Sequence, residues 1–369
     1  MNNKNDVLII NQKDYDVEEI KNKFLNKFIG TFNRFKYKPK GKKILIKPNF
    51  LAPFSESKPV TTKNEMIIAM IETLNSLGNY EIIISDSPGF STVKKIARKK
   101  GLIDLISKYD NVKLKEYNSF IEVENYKGLN IKVTGLADQV DEIINLARFK
   151  THTFQTLTCA TKNLFGLVYN LEKQKQHVKN RSQENFGEML YKLQNLFSEK
   201  VSLNIIDGIV AMEGNGPSSG DKKRMGQIIV SKDPIIADLV ACEMINIKPN
   251  LIPYLNYALK EKNYDYNKIG NLKVYKDFKL PDKKNTFLGK IFNSFSVMLR
   301  FLSPLKESLR KKPFPTKDCI GCGVCRNKCP AKAINIDENR AYINYNSCIK
   351  CYVCHEVCPQ HAIDLKFRV

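Results

Sequence analysis

Tryptophan is absent from the 369 residues, and histidine occurs only four times. Aromatic packing therefore falls to the 20 Phe and 16 Tyr, and proton transfer near neutral pH has few candidates. No secretion signal is expected at the N-terminus, because Met1 to Asp6 is polar and the apolar run Val7 to Ile10 is too short for an h-region. No stretch of about 18 uncharged apolar residues is present to form a spanning helix. Both absences lead us to expect a cytoplasmic location. Phosphate fingerprints are missing too. The glycine loop Gly214-Asn215-Gly216-Pro217-Ser218-Ser219-Gly220 places its third Gly one position late for a dinucleotide fold, and no P-loop run occurs.

Acidic residues are outnumbered, with 38 Asp and Glu against 60 Lys and Arg, giving a formal charge of +22. Most of the excess is Lys, which fits a solvated surface and also suits docking of an acidic redox partner. Nucleic acid is not an expected partner, because no binding motif accompanies the charge.

Ten Cys are present, and eight crowd between Cys319 and Cys358. Cys319, Cys322, Cys325 and Cys329-Pro330 are matched 29 residues later by Cys348, Cys351, Cys354 and Cys358-Pro359. The flanks Pro330-Ala-Lys-Ala-Ile334 and Pro359-Gln-His-Ala-Ile363 repeat as well. In a long chain without a signal, such density means metal rather than disulfides. Two-residue gaps let one tight loop wrap three irons of a cubane, with Gly321 and Gly323 easing the turn. Zinc sites more often pair two Cys-x-x-Cys units across a longer loop. Two 4Fe–4S clusters are therefore the expected cofactors, and the expected charge falls to about +18, since each cluster with four thiolates adds 2−.

Over residues 314 to 366 the segment resembles the bacterial two-cluster ferredoxin domain. That resemblance implies that the fourth Cys of each run serves the other cluster. Cys319, Cys322 and Cys325 would then share a cluster with Cys358, and Cys348, Cys351 and Cys354 with Cys329. His355 and His361 are expected at the surface. The isolated Cys159 and Cys242 read as small buried hydrophobes.

Upstream, apolar runs and helical periodicities alternate. Strands are expected at 43–47, 81–85, 142–146, 203–206 and 227–230. Thr62-Lys63-Asn64-Glu65 has the form of a capping box, opening a helix that Gly78 would stop. A second helix is expected over 92–106, and a third after Asp233-Pro234. The fold class expected is α/β, a largely parallel sheet with flanking helices, plus a small α+β ferredoxin-like domain. The expected domains are 1–284, an amphipathic linker helix over 285–313, and 314–369. Apolar residues at helical spacing over 287–302 suggest packing between domains or peripheral contact with a membrane.

Polar clusters fall where strands end: Lys47-Pro48-Asn49, Ser85 to Gly89, Lys150 to Thr153, and Asp207 to Gly220. Open α/β sheets bind ligands beyond the carboxyl ends of their strands. One shared site is expected, although each cluster also suits a simple turn. Lys47, Lys150 and Lys162 are candidates to hold an anionic ligand. His152 and His177 are the only candidates for proton transfer in this domain. Asp86, Asp207 and Glu213 would orient them or bind a cation. His177, in a polar run, reads as a solvated residue.

Several stretches over residues 5 to 260 are similar to the "domain of unknown function 362" family. They include Ile46-Lys47-Pro48-Asn49, Ser85-Asp86-Ser87-Pro88-Gly89, Lys150-Thr151-His152, Thr161-Lys162-Asn163-Leu164-Phe165-Gly166, Asp207-Gly208-Ile209, Met212 to Pro217, and Asp233-Pro234 with Asp238. The resemblance implies an iron–sulfur-associated protein and no defined activity. Two functions fit. In one, an oxidoreductase or its electron-transfer subunit passes single electrons between the clusters and a small-molecule acceptor or redox partner protein at the α/β domain. In the other, a carrier or redox-sensing protein uses that domain only for binding.

Overall fold

The computed structural model describes residues 6–31, 34–53, 59–89, 91–281 and 310–367. The elements begin with β1 (Asp6–Asn11), α1 (Val17–Ile29), β2 (Lys43–Lys47), α2 (Asn64–Leu77), β3 (Glu81–Ile84), α3 (Val93–Lys99), α4 (Leu102–Ile106) and β4 (Val112–Leu114). A hairpin of β5 (Phe120–Tyr126) and β6 (Leu129–Thr134) and the short α5 (Leu136–Gln139) precede β7 (Glu142–His152), β8 (Thr156–Leu157) and α6 (Ala160–Asn163). Next come α7 (Glu172–Lys179), α8 (Gln183–Leu196), β9 (Val201–Glu213), β10 (Asp221–Ser231), α9 (Pro234–Met244), α10 (Pro253–Glu261) and β11 (Asn267–Ile269).

The main sheet runs β11-β1-β10-β9-β7-β2-β3-β4, with β8 paired to β7. Along that path only β10 runs antiparallel to its neighbours, so the sheet is largely parallel. Helices cover both faces, which is why the central strands are apolar runs rather than alternations. Ile44, Ile46, Ile82 and Ile84 pack with Phe24, Ile67, Met70 and Leu74 on one face. Leu45, Ile83, Ile143 and Ile229 pack with Leu190, Leu193, Val240 and Leu255 on the other. Each such side chain is worth roughly 1.5–3 kcal/mol of burial.

The expected strands are present, three of them longer than the sequence suggested. β7, β9 and β10 carry polar residues at their ends that read as loop. Asp233 caps α9, accepting from Ile235 N at 2.7 Å, with Pro234 at the first helical position. The capping box at Thr62 does not form: Lys63 is the N-cap, without a side-chain cap. The Thr62 hydroxyl instead donates to Leu146 O and accepts from Asn49 N, so tertiary contacts outcompete the local one. The helix expected over 92–106 is two, broken at Gly101 with φ +68°.

The C-terminal module comprises β12 (Lys312–Pro315), α11 (Val324–Lys328), β13 (Ile334–Asp337), β14 (Arg340–Ile343), α12 (Val353–Val357) and β15 (Ile363–Lys366). Pro313 and Pro315, expected as boundary markers, lie within β12, which pairs antiparallel with β15. Two-stranded pairing leaves each strand an edge, where Pro is tolerated. The 29-residue repeat is visible in three dimensions: α11 and α12 are counterparts, as are β13 and β15. The apolar stretch 287–302 lies outside the described residues. No helix among the described residues is long and apolar enough to cross a membrane.

Candidate functional site

β2, β3 and β7 are parallel neighbours, so their carboxyl ends open on one edge of the sheet. Lys47 is the last residue of β2, and its buried ammonium donates to Asp86 Oδ1 at 2.9 Å and to Pro48 O at 3.0 Å. Asp86, just beyond β3, also accepts from Phe50 N at 2.7 Å. Gly166 presses on this pair: a Cβ there would collide with Asp86 Oδ1 and Lys47 Nζ. Burial drives the Lys47 pKa down against the pull of Asp86.

Lys150, near the end of β7, donates to Asn49 Oδ1 at 2.9 Å and to Val60 O at 2.8 Å. Asn49 in turn donates to Asn163, Asn163 to Asn145, and Asn145 to Asn204, each at 2.8 Å. This chain of buried amides ties three strands to α6. Asp238 of α9 fastens the start of α6, accepting from Ala160 N at 2.7 Å and Thr161 N at 2.9 Å. Burial raises the Asp238 pKa to about 7. Lys162 is thereby set on a short helix anchored at both ends.

His152 closes β7. Its Nδ1 accepts from Phe154 N at 3.1 Å and Gln155 N at 3.3 Å, so the proton of the neutral ring sits on Nε2. That Nε2 lies 3.0 Å from Glu356 Oε1 of α12, in the other module. The two atoms are in ion-pair range but not aligned as a hydrogen bond, and both are buried with no hydrogen-bond partner among the described residues. Burial, then the Lys162 charge, lowers the His152 pKa to about 4. Burial pushes Glu356 up, but His152, Lys162 and His177 outweigh it and hold the carboxyl well below its usual range. Glu356 is therefore a carboxylate and His152 a neutral donor.

These residues surround a cavity of about 510 Å³ between the two modules. Its walls are Lys47, Asp86, Lys150, His152, Lys162, Lys173 and His177 from the α/β domain, and Lys328, Val353, Glu356 and Val357 from the cysteine-rich module. Lys173 of α7 donates to Ser87 O. Burial, with Lys47, Lys162 and Lys328 outweighing Asp86, lowers its pKa to about 7. Lys150 is also lowered to about 7, by burial and then Lys162. His177 stacks on Phe186 at 4.6 Å and meets Phe165 edge-on at 5.8 Å. Its pKa falls to about 3 through burial, and its Nδ1 has no partner among the described residues.

The expected site residues Lys47, Asp86, Lys150, His152 and Lys162 thus meet at one cavity. Asp207 and Glu213 do not. Asp207 is locked to Arg148 and Tyr15 in a buried network, and Glu213 accepts from Lys279 N. The reading of His177 as solvated is overturned: it is 7% exposed and boxed by Phe rings. Its spacing of four from Lys173 on one helix was the available signal. His355, expected at the surface, is 3% exposed, and its Nδ1 contacts Ile363 O. Arg148, Lys173, Lys328 and Glu356 were not singled out by sequence reasoning. Cys159 and Cys242 are fully buried.

The eight cysteines fall into two sets, each around its own small void. One void is lined by Cys319, Cys322, Cys325 and Cys358, the other by Cys348, Cys351, Cys354 and Cys329. Among the described residues no three His, Cys, Asp or Glu side chains close on a point as the ligands of a lone ion would. Four soft sulfurs spread around a void suit a cluster core better than one zinc. Backbone N–H groups point at three of them: Ala333 to Cys329 Sγ at 3.3 Å, Ala362 to Cys358 Sγ at 3.2 Å, and Ala341 to Cys319 Sγ at 3.4 Å. Such bonds stabilise thiolates.

A family model described as a domain of unknown function (DUF362) matches residues 44–243, and one described as a 4Fe-4S dicluster domain matches residues 318–363. A thylakoid-associated protein of Synechocystis sp. is 30% identical over 215 residues. That alignment takes in 58% of this chain, which spans 66% of the relative's length. Among solved structures, the lactate racemase apoprotein from Thermoanaerobacterium thermosaccharolyticum aligns with a TM-score of 0.42 at 15% identity, over 65% of this chain and 56% of that one. A Thermotoga maritima protein aligns with a TM-score of 0.38 at 14% identity, over 63% and 60%. The second family match supports iron–sulfur clusters and electron transfer by the C-terminal module. The first spans more than half of the 369 residues, and the chain belongs to the domain of unknown function 362 family, with a 4Fe–4S dicluster domain behind it.

Proposed function

We propose that the protein passes single electrons between two 4Fe–4S clusters and a small anionic molecule held in the cavity between its modules. Cys319, Cys322, Cys325 and Cys358 would hold one cluster, and Cys348, Cys351, Cys354 and Cys329 the other. When bound, each cluster supplies one electron at a time. The observation that carries the reading is the cavity itself: Val353, Val357 and Lys328 line it, and each directly adjoins a cysteine of the two sets. A ligand there is next to the electron source by construction, so delivery is intramolecular.

The chain's own groups divide the remaining work. Lys162, Lys150 and Lys173 attract and orient the anionic group. Lys47 is held in place by Asp86 and Gly166. His152 presents a neutral Nε2–H, fixed in tautomer by two backbone donors and in position by Glu356. Phe165 and the ring of His177 keep one wall apolar and exclude water. In this reading His152, Lys47, Lys150, Lys162 and Asp86 form the working set of an oxidoreductase or its electron-transfer subunit. The cytoplasmic location expected from the sequence is part of the same proposal.

A second reading has one observation in its favour. Cys322 is exposed, so the cluster it serves would meet solution directly. A carrier that exchanges electrons with a redox partner protein, and only senses or binds a ligand at the cavity, would want that exposure. The two readings separate in one experiment. Anaerobically purified protein is reduced, and reoxidation by candidate small-molecule acceptors is followed optically. Loss of reoxidation in a Lys47→Ala, His152→Ala double variant with intact clusters supports the first reading. Unchanged reoxidation supports the second.

A further inference from the structure

Five lysines line the cavity, Lys47, Lys150, Lys162, Lys173 and Lys328, against two carboxylates, Asp86 and Glu356. Asp86 is spent on Lys47, and Glu356 faces His152. Lys162 makes no hydrogen bond and no ion pair within 4.0 Å among the described residues; its ammonium lies 5.9 Å from the Phe165 ring. Two further polar groups, His177 Nδ1 and Thr158 Oγ1, are buried without hydrogen-bond partners among the described residues, and both residues line the same space. Lys47 and Lys150 are buried and the other three lysines half-buried, and gathering that much like charge is costly unless negative charge, from the clusters or from a ligand, offsets it.

We infer that the cavity takes a polyanion, of the phosphate-ester or polycarboxylate class, and that binding it draws protons onto Lys150 and Lys173. This deepens the electron-transfer reading and rests on it for the identity of the site. The volume, about 510 Å³, is in the range of metabolite pockets, which span roughly 300–1,000 Å³. Once Lys150 and Lys173 are charged, a singly charged ligand would leave most of the lysine surplus, five against two, uncompensated. The proton uptake follows from the neighbours. Lys150 faces Lys162 and Arg148, which oppose its charge, and Glu356 and Asp86, which favour it. Lys173 faces Lys47, Lys162 and Lys328 against Asp86. With neither clusters nor an anion bound, both sit near a pKa of about 7. A polyanion raises both, so uptake is largest above pH 7 and vanishes well below it, where both are already charged.

Calorimetry on the full-length, cluster-loaded protein tests this without oxygen. Inorganic pyrophosphate and tricarballylate are titrated at pH 8 and at pH 5.5, in pairs of buffers that differ in ionisation enthalpy. Binding of either probe is expected, with an apparent enthalpy that depends on buffer at pH 8 and not at pH 5.5. Pyrophosphate alone would assign the phosphate class, and tricarballylate alone the carboxylate class. Lys162→Gln should weaken binding at least tenfold. Should that variant lose its clusters, Lys173→Gln serves in its place and should also reduce the proton uptake. No binding of either probe, buffer-independent binding at pH 8, or unchanged binding in the variants overturns the inference. If these fail while cavity-dependent reoxidation persists, the ligand is not a polyanion of either class and the electron-transfer reading stands. If both fail, the cavity is not the site.

Discussion

The two halves of the C-terminal repeat have nearly the same backbone and opposite surroundings. In α11, Arg326 and Asn327 face solvent; their counterparts in α12, His355 and Glu356, are buried against the α/β domain. Cys322 is exposed, whereas its counterpart Cys351 is buried. Beside Cys351, Tyr352 packs edge-on to Phe154 at 6.2 Å, and Arg310 lies over both rings. The corresponding Gly323 has only Arg326 Nη2 near, at 3.7 Å from where a Cβ would sit. Duplication supplies two equal cluster loops, and docking then makes them unequal. One half supplies most of the module's share of the cavity wall, and the other adds Lys328 and otherwise faces solution.

Substitutions at paired positions break this comparison most directly. Glu356→Ala removes the carboxylate that faces His152 and whose charge acts on Lys162. His152 is neutral, so the loss is that of a buried polar contact rather than an ion pair, about 1–3 kcal/mol. Asn327→Ala, at the matching exposed position, should change stability by less than about 0.5 kcal/mol. Anaerobic thermal melts of the two variants check this; equal shifts would mean that the modules are not docked as described.

Acid should act at the same docked interface. His152 and His177 are held neutral, at about 4 and about 3, against an ordinary value of 6.5. Their folded pKa values are depressed, so the unfolded chain binds more protons between pH 6.5 and about 4, and stability falls as pH drops through that window. For His152 the shift corresponds to roughly 3 kcal/mol. Urea midpoints measured from pH 7 to pH 4.5 should decline, and His177→Phe should flatten the decline. A midpoint independent of pH would show that neither ring is held neutral.

Much of this was legible in the sequence, and the reasons for the rest are physical. The strands at Lys43–Lys47 and Glu81–Ile84 announce themselves because burial on both faces makes the runs Ile44 to Ile46 and Ile82 to Ile84 apolar throughout. Lys47, Asp86, Lys150 and His152 were findable because parallel strands end on a common edge. Glu356 was not, because its role depends on which face of α12 docks, and nothing local to the repeat distinguishes it from Asn327. His177 was misread because a polar run, Gln174-Lys175-Gln176-His177, hides a helix that turns Glu172, Gln176 and His177 inward. Thr62 looked like a cap because capping motifs are local, and its competitors, Leu146 and Asn49, are not.

The smallest expected effect sharpens the comparison furthest. Gly321 and Lys350 are counterparts, both left-handed, with φ +63° and +50°. At Gly321 a Cβ would also press on the Asn339 backbone, at 2.5 Å from its carbonyl carbon, because the turn between β13 and β14 packs there. Gly321→Ala thus meets both a steric wall and a left-handed penalty, about 2–4 kcal/mol together. Lys350 already bears a side chain, and its carbonyl is engaged by Arg310. Lys350→Gly removes the left-handed penalty, about 1 kcal/mol, and gives some of it back as entropy of the unfolded chain. The net change should lie within about 1 kcal/mol of zero, read as the anaerobic melting temperature beside that of Gly321→Ala. A loss at Lys350 as large as that at Gly321 would mean that its side chain, and not only its backbone, holds the second loop against the α/β domain.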